Sequence, residues 1–257
     1  MADFTSQIAQ WPGLSGGSAI ITGGSSGLGV HFAHLLAAQN VKVTLAARRV
    51  DRLDEVCRDI CDAGGEAEPL CLDVASAASV EDALTGKVFD IVINNAGVTA
   101  TASAFDLSAN SIDQVIDINL KGAFHVARTT ARSMKDAGVG GSIINVASIL
   151  GLRVAGQVSA YSASKAGLVQ LTKALALEWS RFGIRVNALC PGYIETDLNR
   201  DFFESEAGKA LVRRVPFRRL GQPEDLDGPL LLLASDHSRF MTGTEIAVDG
   251  GHLVSSL

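Results

Sequence analysis

"SAIITGGSSGLGVHFAHLLAAQNVKVTLAARR", residues 18–49, reads as a strand, a glycine-rich turn, a helix and a second strand. Residues 18–22 form a short apolar run, residues 30–39 carry apolar side chains at helical spacing, and residues 41–47 return to a strand pattern. Strand, helix, strand is a βαβ unit with parallel strands. Working outward, further strands are predicted by "AEPLCLDV" (67–74), "FDIVINNAG" (89–97), "GSIINVAS" (141–148), "IRVNALCPG" (184–192) and "EIAVDGG" (245–251), each preceded by a segment able to form a helix. About seven such runs joined by crossovers predict a doubly wound α/β fold, a parallel sheet with helices on both faces. Ligands of such sheets bind outside the carboxyl ends of the strands, so chemistry is to be sought just after each run.

The composition suits one large unit. The chain has 257 residues, 47% apolar and 19% charged, with no repeat or low-complexity linker, which predicts a single domain over residues 1–257. A formal charge of −6 gives no electrostatic reason to expect nucleic acid or anionic lipid as a partner. The four cysteines, Cys57, Cys61, Cys71 and Cys190, include no CxxC pair, and no histidine stands at ligand spacing; reduced thiols are expected, with neither a zinc site nor a disulfide framework. No stretch is apolar for 18 residues and the start, "MADFTSQIAQWPGL", lacks a secretory pattern, so a cytoplasmic protein without a membrane span is expected.

"TGGSSGLG" (22–29) joins the first strand to the first helix. Gly23, Gly27 and Gly29, with Ser25, Ser26 and Leu28 between them, bring backbone N–H groups to a helix amino terminus, where a pyrophosphate is held by hydrogen bonds and the helix dipole. In isolation the glycines would serve only a strand-to-helix turn; the βαβ context favours a Rossmann-type dinucleotide site. The second strand ends "LAARR", with Ala47 where NAD-preferring sites usually carry an acid, followed by Arg48 and Arg49. A guanidinium there suits a 2′-phosphate, which selects NADP(H), with NAD(H) the alternative and a solvated helix start the plain reading of the pair.

With this turn, "NNAG" (94–97), "NLKG" (119–122), Ser148 and "YSASK" (161–165) in that order, the whole chain resembles the single-domain branch of the short-chain dehydrogenase/reductase family, most of all its 3-oxoacyl-carrier-protein reductases and related ketoreductases. Singly, Tyr161 before Lys165 is a helix-face pair, Ser148 a strand-end serine and Asn119 a turn residue. The chemistry nevertheless needs this set. Reduction of a ketone creates an alkoxide that must take a proton, and Tyr161 is the candidate acid. Lys165, four positions on, shares its helix face; a cation within about 4–6 Å is expected to lower the phenol from about 10 by about 1–3 units. The resemblance implies that Lys165 also binds the nicotinamide ribose, that Ser148 hydrogen-bonds the substrate oxygen, and that Asn119 holds a water in a proton relay. It further implies cofactor contacts at Asp73 and Val74, at Asn95, Ala96 and Gly97, at Pro191 and Gly192 beneath the nicotinamide, and at Ile194 and Thr196 on its carboxamide.

The mixed, charged stretch at about 196–219 is a candidate substrate lid. Ile149, Leu150, Val158 and Tyr193 are the candidate substrate-facing residues, and their apolar character suits a ketone with nonpolar substituents. A small-molecule or acyl-thioester substrate is expected, with Arg128 and Arg132 open either to carrier docking or to solvent. The resemblance implies a homotetramer, with "GPLLLLAS" (228–235) and "ALALEW" (174–179) available to interfaces. The expected activity is hydride transfer between NADP(H) and a ketone or secondary alcohol. The alternatives are an NAD-dependent alcohol, hydroxysteroid or polyol dehydrogenase, and a cofactor-binding regulatory protein with little turnover.

Overall fold

The structure, a computed structural model, describes residues 11–196 and 200–255. The expectation of a leaderless amino terminus falls on residues 1–10, and part of the lid expectation falls on residues 197–199, outside the described residues.

Seven parallel strands form one sheet in the order β3-β2-β1-β4-β5-β6-β7. They are β1 (Ser18–Thr22), β2 (Lys42–Ala47), β3 (Ala67–Cys71), β4 (Ile91–Asn94), β5 (Gly141–Val146), β6 (Ile184–Pro191) and β7 (Glu245–Val248). The order reverses between β1 and β4, which pair through Ala19↔Ile91 to Ile21↔Ile93; this switch point opens a crevice at the carboxyl edge. Alternate strand residues feed two cores. Ile21, Ile93 and Ile144 face α1 (Leu28–Ala37), α2 (Val50–Asp62) and α9 (Asp227–Ala234), while Ile20, Val92 and Ile143 face α3 (Ala77–Leu84), α5 (Ala123–Asp136) and α6 (Ser159–Trp179). Both faces of the central strands are covered, so β1, β4, β5 and β6 are buried almost throughout, while the edge strands β3 and β7 are partly exposed. Each fully buried Ile or Leu contributes about 1.5–3 kcal/mol.

Two features set the height of α6 against the sheet. The register partners Asn94 and Asn145 are joined by a 2.9 Å hydrogen bond, and Asn145 Nδ2 donates to Thr172 Oγ1 of α6 at 2.8 Å. Between α4 (Ala109–Ile116) and α5 lies a π-helical turn, Asp117–Gly122, that carries Asn119. π-turns of this kind are frequent at functional sites. Past β6, the short helices α7 (Arg200–Glu204) and α8 (Glu206–Val212) occupy the expected lid stretch. No described helix is long and apolar enough to cross a membrane, and the described residues hold no cluster of groups able to bind a metal.

Candidate active site

The glycine turn forms one end of the crevice. Gly27 precedes α1 with φ +56°; the helix has no side-chain cap and no acid in its first turn, and its amino-terminal end opens on a cavity of about 380 Å³. A Cβ on Gly29 would stand 2.3 Å from the Gly23 carbonyl oxygen, so no side chain fits where this turn closes. Gly23, Ser25, Ser26, Leu28, Asp73, Val74 and Ala96 line the same cavity. Asp73 Oδ1 accepts the Ala75 N–H at 3.1 Å, while Ser76 caps α3, so Asp73 is not the helix cap. Arg48 and Arg49 both line the mouth. Arg49 reaches back across the turn, its Nη2 donating to Ser25 Oγ at 3.0 Å and Ser26 Oγ at 3.4 Å. An uncapped helix start, a turn kept open by glycine and two guanidinium groups at the rim fit the phosphates of a dinucleotide.

The loop after β4 ties this end to the other. Thr22 Oγ1 accepts the N–H groups of Asn95 and Ala96, each at 3.1 Å, and Asn95 Nδ2 donates to the carbonyls of Thr22 (3.0 Å) and Gly23 (3.3 Å). Three residues on, Val98 donates to Asn119 Oδ1 at 2.8 Å, and Asn119 Nδ2 donates to the Val98 carbonyl at 2.9 Å and to Ser164 Oγ at 3.0 Å. Ser164 in turn donates to the Tyr161 carbonyl at 2.7 Å. Both amide hydrogens of Asn119 are therefore committed to the protein. Gly97 lies between the clamps, where a Cβ would stand 3.5 Å from Asn119 Oδ1 and from Lys165 Nζ.

A second cavity, of about 600 Å³, holds Ser148, Tyr161 and Lys165 together with Asn95, Gly97, Pro191, Gly192, Ile194 and Thr196. Thr196 lines both cavities. Ser148, at the end of β5, accepts the Leu150 N–H at 3.1 Å and so starts a short 3₁₀ turn, Ile149–Gly151. A Cβ on Gly192 would meet Asp249 Cα at 2.7 Å, which holds the loop beneath the cavity to glycine.

Electrostatics depart from the sequence expectation. Tyr161 is raised rather than lowered: burial disfavours its phenolate, a hydrogen bond with Ser148 acts the other way, and Cys190 adds to the rise. Lys165 Nζ is turned to the Val146 carbonyl at 2.7 Å and stands 5.7 Å from the centre of the Tyr161 ring. Burial pushes this ammonium down to about 8. At Tyr161 desolvation outweighs the hydrogen bond to Ser148, and at Lys165 it outweighs the influence of Cys190. The phenol is therefore a firmly protonated acid at neutral pH, next to a lysine whose charge is lost in mild alkali.

Several site residues escaped the sequence reading. Thr22 is legible only from the register of β1 against β4. Cys190, wholly buried behind Ser148, is pushed up to about 11 by burial and stays a neutral thiol. Phe202 and Phe203 of α7 join the cavity wall. Their rings, 5.1 Å apart, continue edge-on to Tyr193 (5.8 Å from Phe203) and from Tyr193 to His252 (5.3 Å). His252 is 6% exposed, and its carbonyl accepts a hydrogen bond from Arg153.

A dinucleotide cleft ending in a half-buried Tyr beside a buried Lys and Ser is the site of an oxidoreductase. The profile of the family described as Enoyl-(Acyl carrier protein) reductase matches residues 23–252. The L-rhamnose 1-dehydrogenase (NAD(P)(+)) of Azotobacter vinelandii is 35% identical over 92% of this chain and 96% of its own. The cyclohexanol dehydrogenase of an Acinetobacter species is 38% identical over 91% of this chain and 94% of its own. The crystal structure of a gluconate 5-dehydrogenase from Burkholderia cenocepacia, in complex with NADP and tartrate, superposes with a TM-score of 0.90 at 33% identity, covering 94% of this chain and 97% of that one. The chain belongs to the short-chain dehydrogenase/reductase family.

Proposed function

We propose that this protein is an NADP(H)-dependent oxidoreductase that interconverts a ketone and a secondary alcohol, with Tyr161 as proton donor, Ser148 on the substrate oxygen and Lys165 as the supporting cation. The convergence of these three side chains on one cavity, opposite an arginine-lined phosphate turn, carries the reading. NADP in the similar gluconate 5-dehydrogenase structure supports the cofactor, and Arg48 and Arg49 supply the charge for its 2′-phosphate.

The dinucleotide, when bound, supplies or takes up the hydride. The protein's own part is positional and acid–base. Ser148 and the Tyr161 hydroxyl, linked to each other, offer hydrogen bonds to one carbonyl oxygen and so stabilise the negative charge that develops there. Tyr161 then delivers its proton, and the neighbouring Lys165 ammonium opposes the charge left on the phenolate. Asp73, Val74, Ala96, Ile194 and Thr196 are assigned to cofactor contacts, Asn119 to holding Val98 against the catalytic helix.

A single catalytic unit over residues 1–257, a lid at about 196–219, a cytoplasmic location and a homotetramer belong to the same reading. The exposure of Leu177 on α6, at 82%, and of Phe240, at 103%, supports further chain contacts there.

The test follows nicotinamide absorbance on mixing the protein with NADPH and a panel of ketones. Tyr161→Phe is expected to retain NADPH binding and lose turnover by about 10²-fold or more. Near-normal turnover in that variant removes Tyr161 from its role, and no turnover by the unaltered protein favours a regulatory cofactor-binding protein.

A further inference from the structure

Resting on the ketoreductase reading, we infer that the substrate of this cleft is an apolar cyclic ketone, with its secondary alcohol, rather than a sugar acid, a polyol or an acyl thioester.

The wall of the catalytic cavity is the basis. Beyond the reacting groups it is formed by Ile149, Leu150, Val158, Tyr193, Phe202 and Phe203. Lys165 is the one charged side chain among the described residues of that lining, and its ammonium is turned to the Val146 carbonyl. Among the described residues of the lining, a carboxylate or phosphate on the substrate would find no cation besides Lys165. Arg153 and Arg214, whose guanidinium groups both act on Tyr193, stand outside the lining, and Arg153 donates to the His252 carbonyl.

Hydroxyl partners are equally scarce. Asn95 has both amide hydrogens on the glycine turn, and Thr196 belongs to the cofactor side, lining both cavities. Among the described residues, the hydroxyls of Thr99, Thr101 and Tyr193 are what is left for a polyol. The Tyr193 phenol is raised by burial and carries no charge at neutral pH. A sugar acid would bring a carboxylate and several hydroxyls into this wall, and each group desolvated without a partner weakens binding about tenfold or more. The amide-rich arm of a carrier-bound thioester meets the same lack.

Rings suit what is present. Phe202, Phe203 and Tyr193 give the cavity a largely aromatic surface, with His252 packed edge-on against Tyr193 outside the lining, and a compact saturated ring packs against this surface with little loss of conformational freedom. Phe202 is half exposed at the end of this surface, where it can cover a bound ring.

The deciding experiment measures kcat/KM with NADPH for cyclohexanone, α-tetralone, butanone, a ketogluconate and an acetoacetyl thioester, using the full chain and the half-exposed variant Phe202→Ala. The cyclic ketones are expected to exceed the ketogluconate and the thioester by about 10²-fold or more. Phe202→Ala is expected to raise KM for α-tetralone about tenfold while that for butanone changes by less than about twofold. Faster turnover of the ketogluconate or the thioester overturns the inference and leaves the ketoreductase reading standing. An unchanged KM for α-tetralone in the variant overturns it as well. Bound NADPH with no turnover of any carbonyl compound removes both.

Discussion

The Lys165 ammonium donates to the carbonyl of Val146 at 2.7 Å, so the cation that supports the phenol is anchored to the end of β5 rather than to the tyrosine four residues before it. Burial holds this lysine at about 8 instead of 10.5, a folding cost of about 3 kcal/mol at neutral pH. Lys165→Met is expected to remove that cost, less about 1–2 kcal/mol for the carbonyl left without its donor. The net gain of about 1–2 kcal/mol corresponds to a Tm higher by about 2–8 °C, with turnover lost. A calorimetric scan checks this, and a lower Tm contradicts it.

The same shift sets two pH dependences of opposite sign. The folded state favours neutral Lys165, so its burial cost is fully present below about pH 8 and fades as pH rises toward 10.5. The Lys165 contribution to stability therefore improves across that window, and denaturant midpoints of the native chain minus those of Lys165→Met isolate it. Activity runs the other way. With Tyr161 still protonated, kcat/KM for ketone reduction is expected to fall as pH passes about 8 and the supporting charge disappears. A flat profile from pH 7 to about 9.5 would show that the charge on Lys165 is dispensable.

Arg49 is the guanidinium that spans the turn. Replacing it by Asp places a carboxylate where a 2′-phosphate would sit. KM for NADPH is expected to rise about 10–100-fold while KM for NADH stays level or falls. Arg48→Asp, lacking the contact with Ser25, is expected to have the smaller effect. Initial rates with both cofactors decide, and equal effects from the two variants would remove the distinction.

Asn119→Leu keeps the side-chain volume and deletes the clamp on Val98. Both backbone polar groups of Val98 lose their partner, at about 2–4 kcal/mol in total. The Tm is expected to drop by about 4–16 °C, with kcat reduced because the loop bearing Gly97 is no longer pinned against α6. A wild-type melting curve would mean that the clamp carries no strain-free energy of its own.

Much of this architecture was legible because it is written in local pattern. The apolar run "SAIIT" became β1 residue for residue, since a strand buried on both faces needs nothing else. The run 67–74 was read too long: β3 ends at Cys71, and Leu72 onward turns into the crevice. Tyr161 and Lys165 were visible as a helix-face pair. Their titration was not, because spacing reports that two groups are neighbours and says nothing of how dry their surroundings are. Burial at the meeting of β5, β6 and α6 decides the sign. Arg48 and Arg49 are equivalent on paper, and only the fold shows which one points back at the serines. Phe202 and Phe203 looked like ordinary residues of a charged lid; their neighbours Tyr193 and His252 come from separate parts of the chain.

Residues 95–98 act as a ruler. One end of this run is fastened to the phosphate turn through Asn95, the other to the catalytic helix through Asn119 and Ser164. One inserted residue would add about 3.3–3.6 Å of chain, more than hydrogen bonds confined to about 2.7–3.2 Å can absorb. Loop length is thus fixed at this one place by the distance between the two ends of the reaction, and homologues that lengthen or shorten it must rebuild the cleft, whereas the stretch after Thr196 can change length without disturbing that spacing.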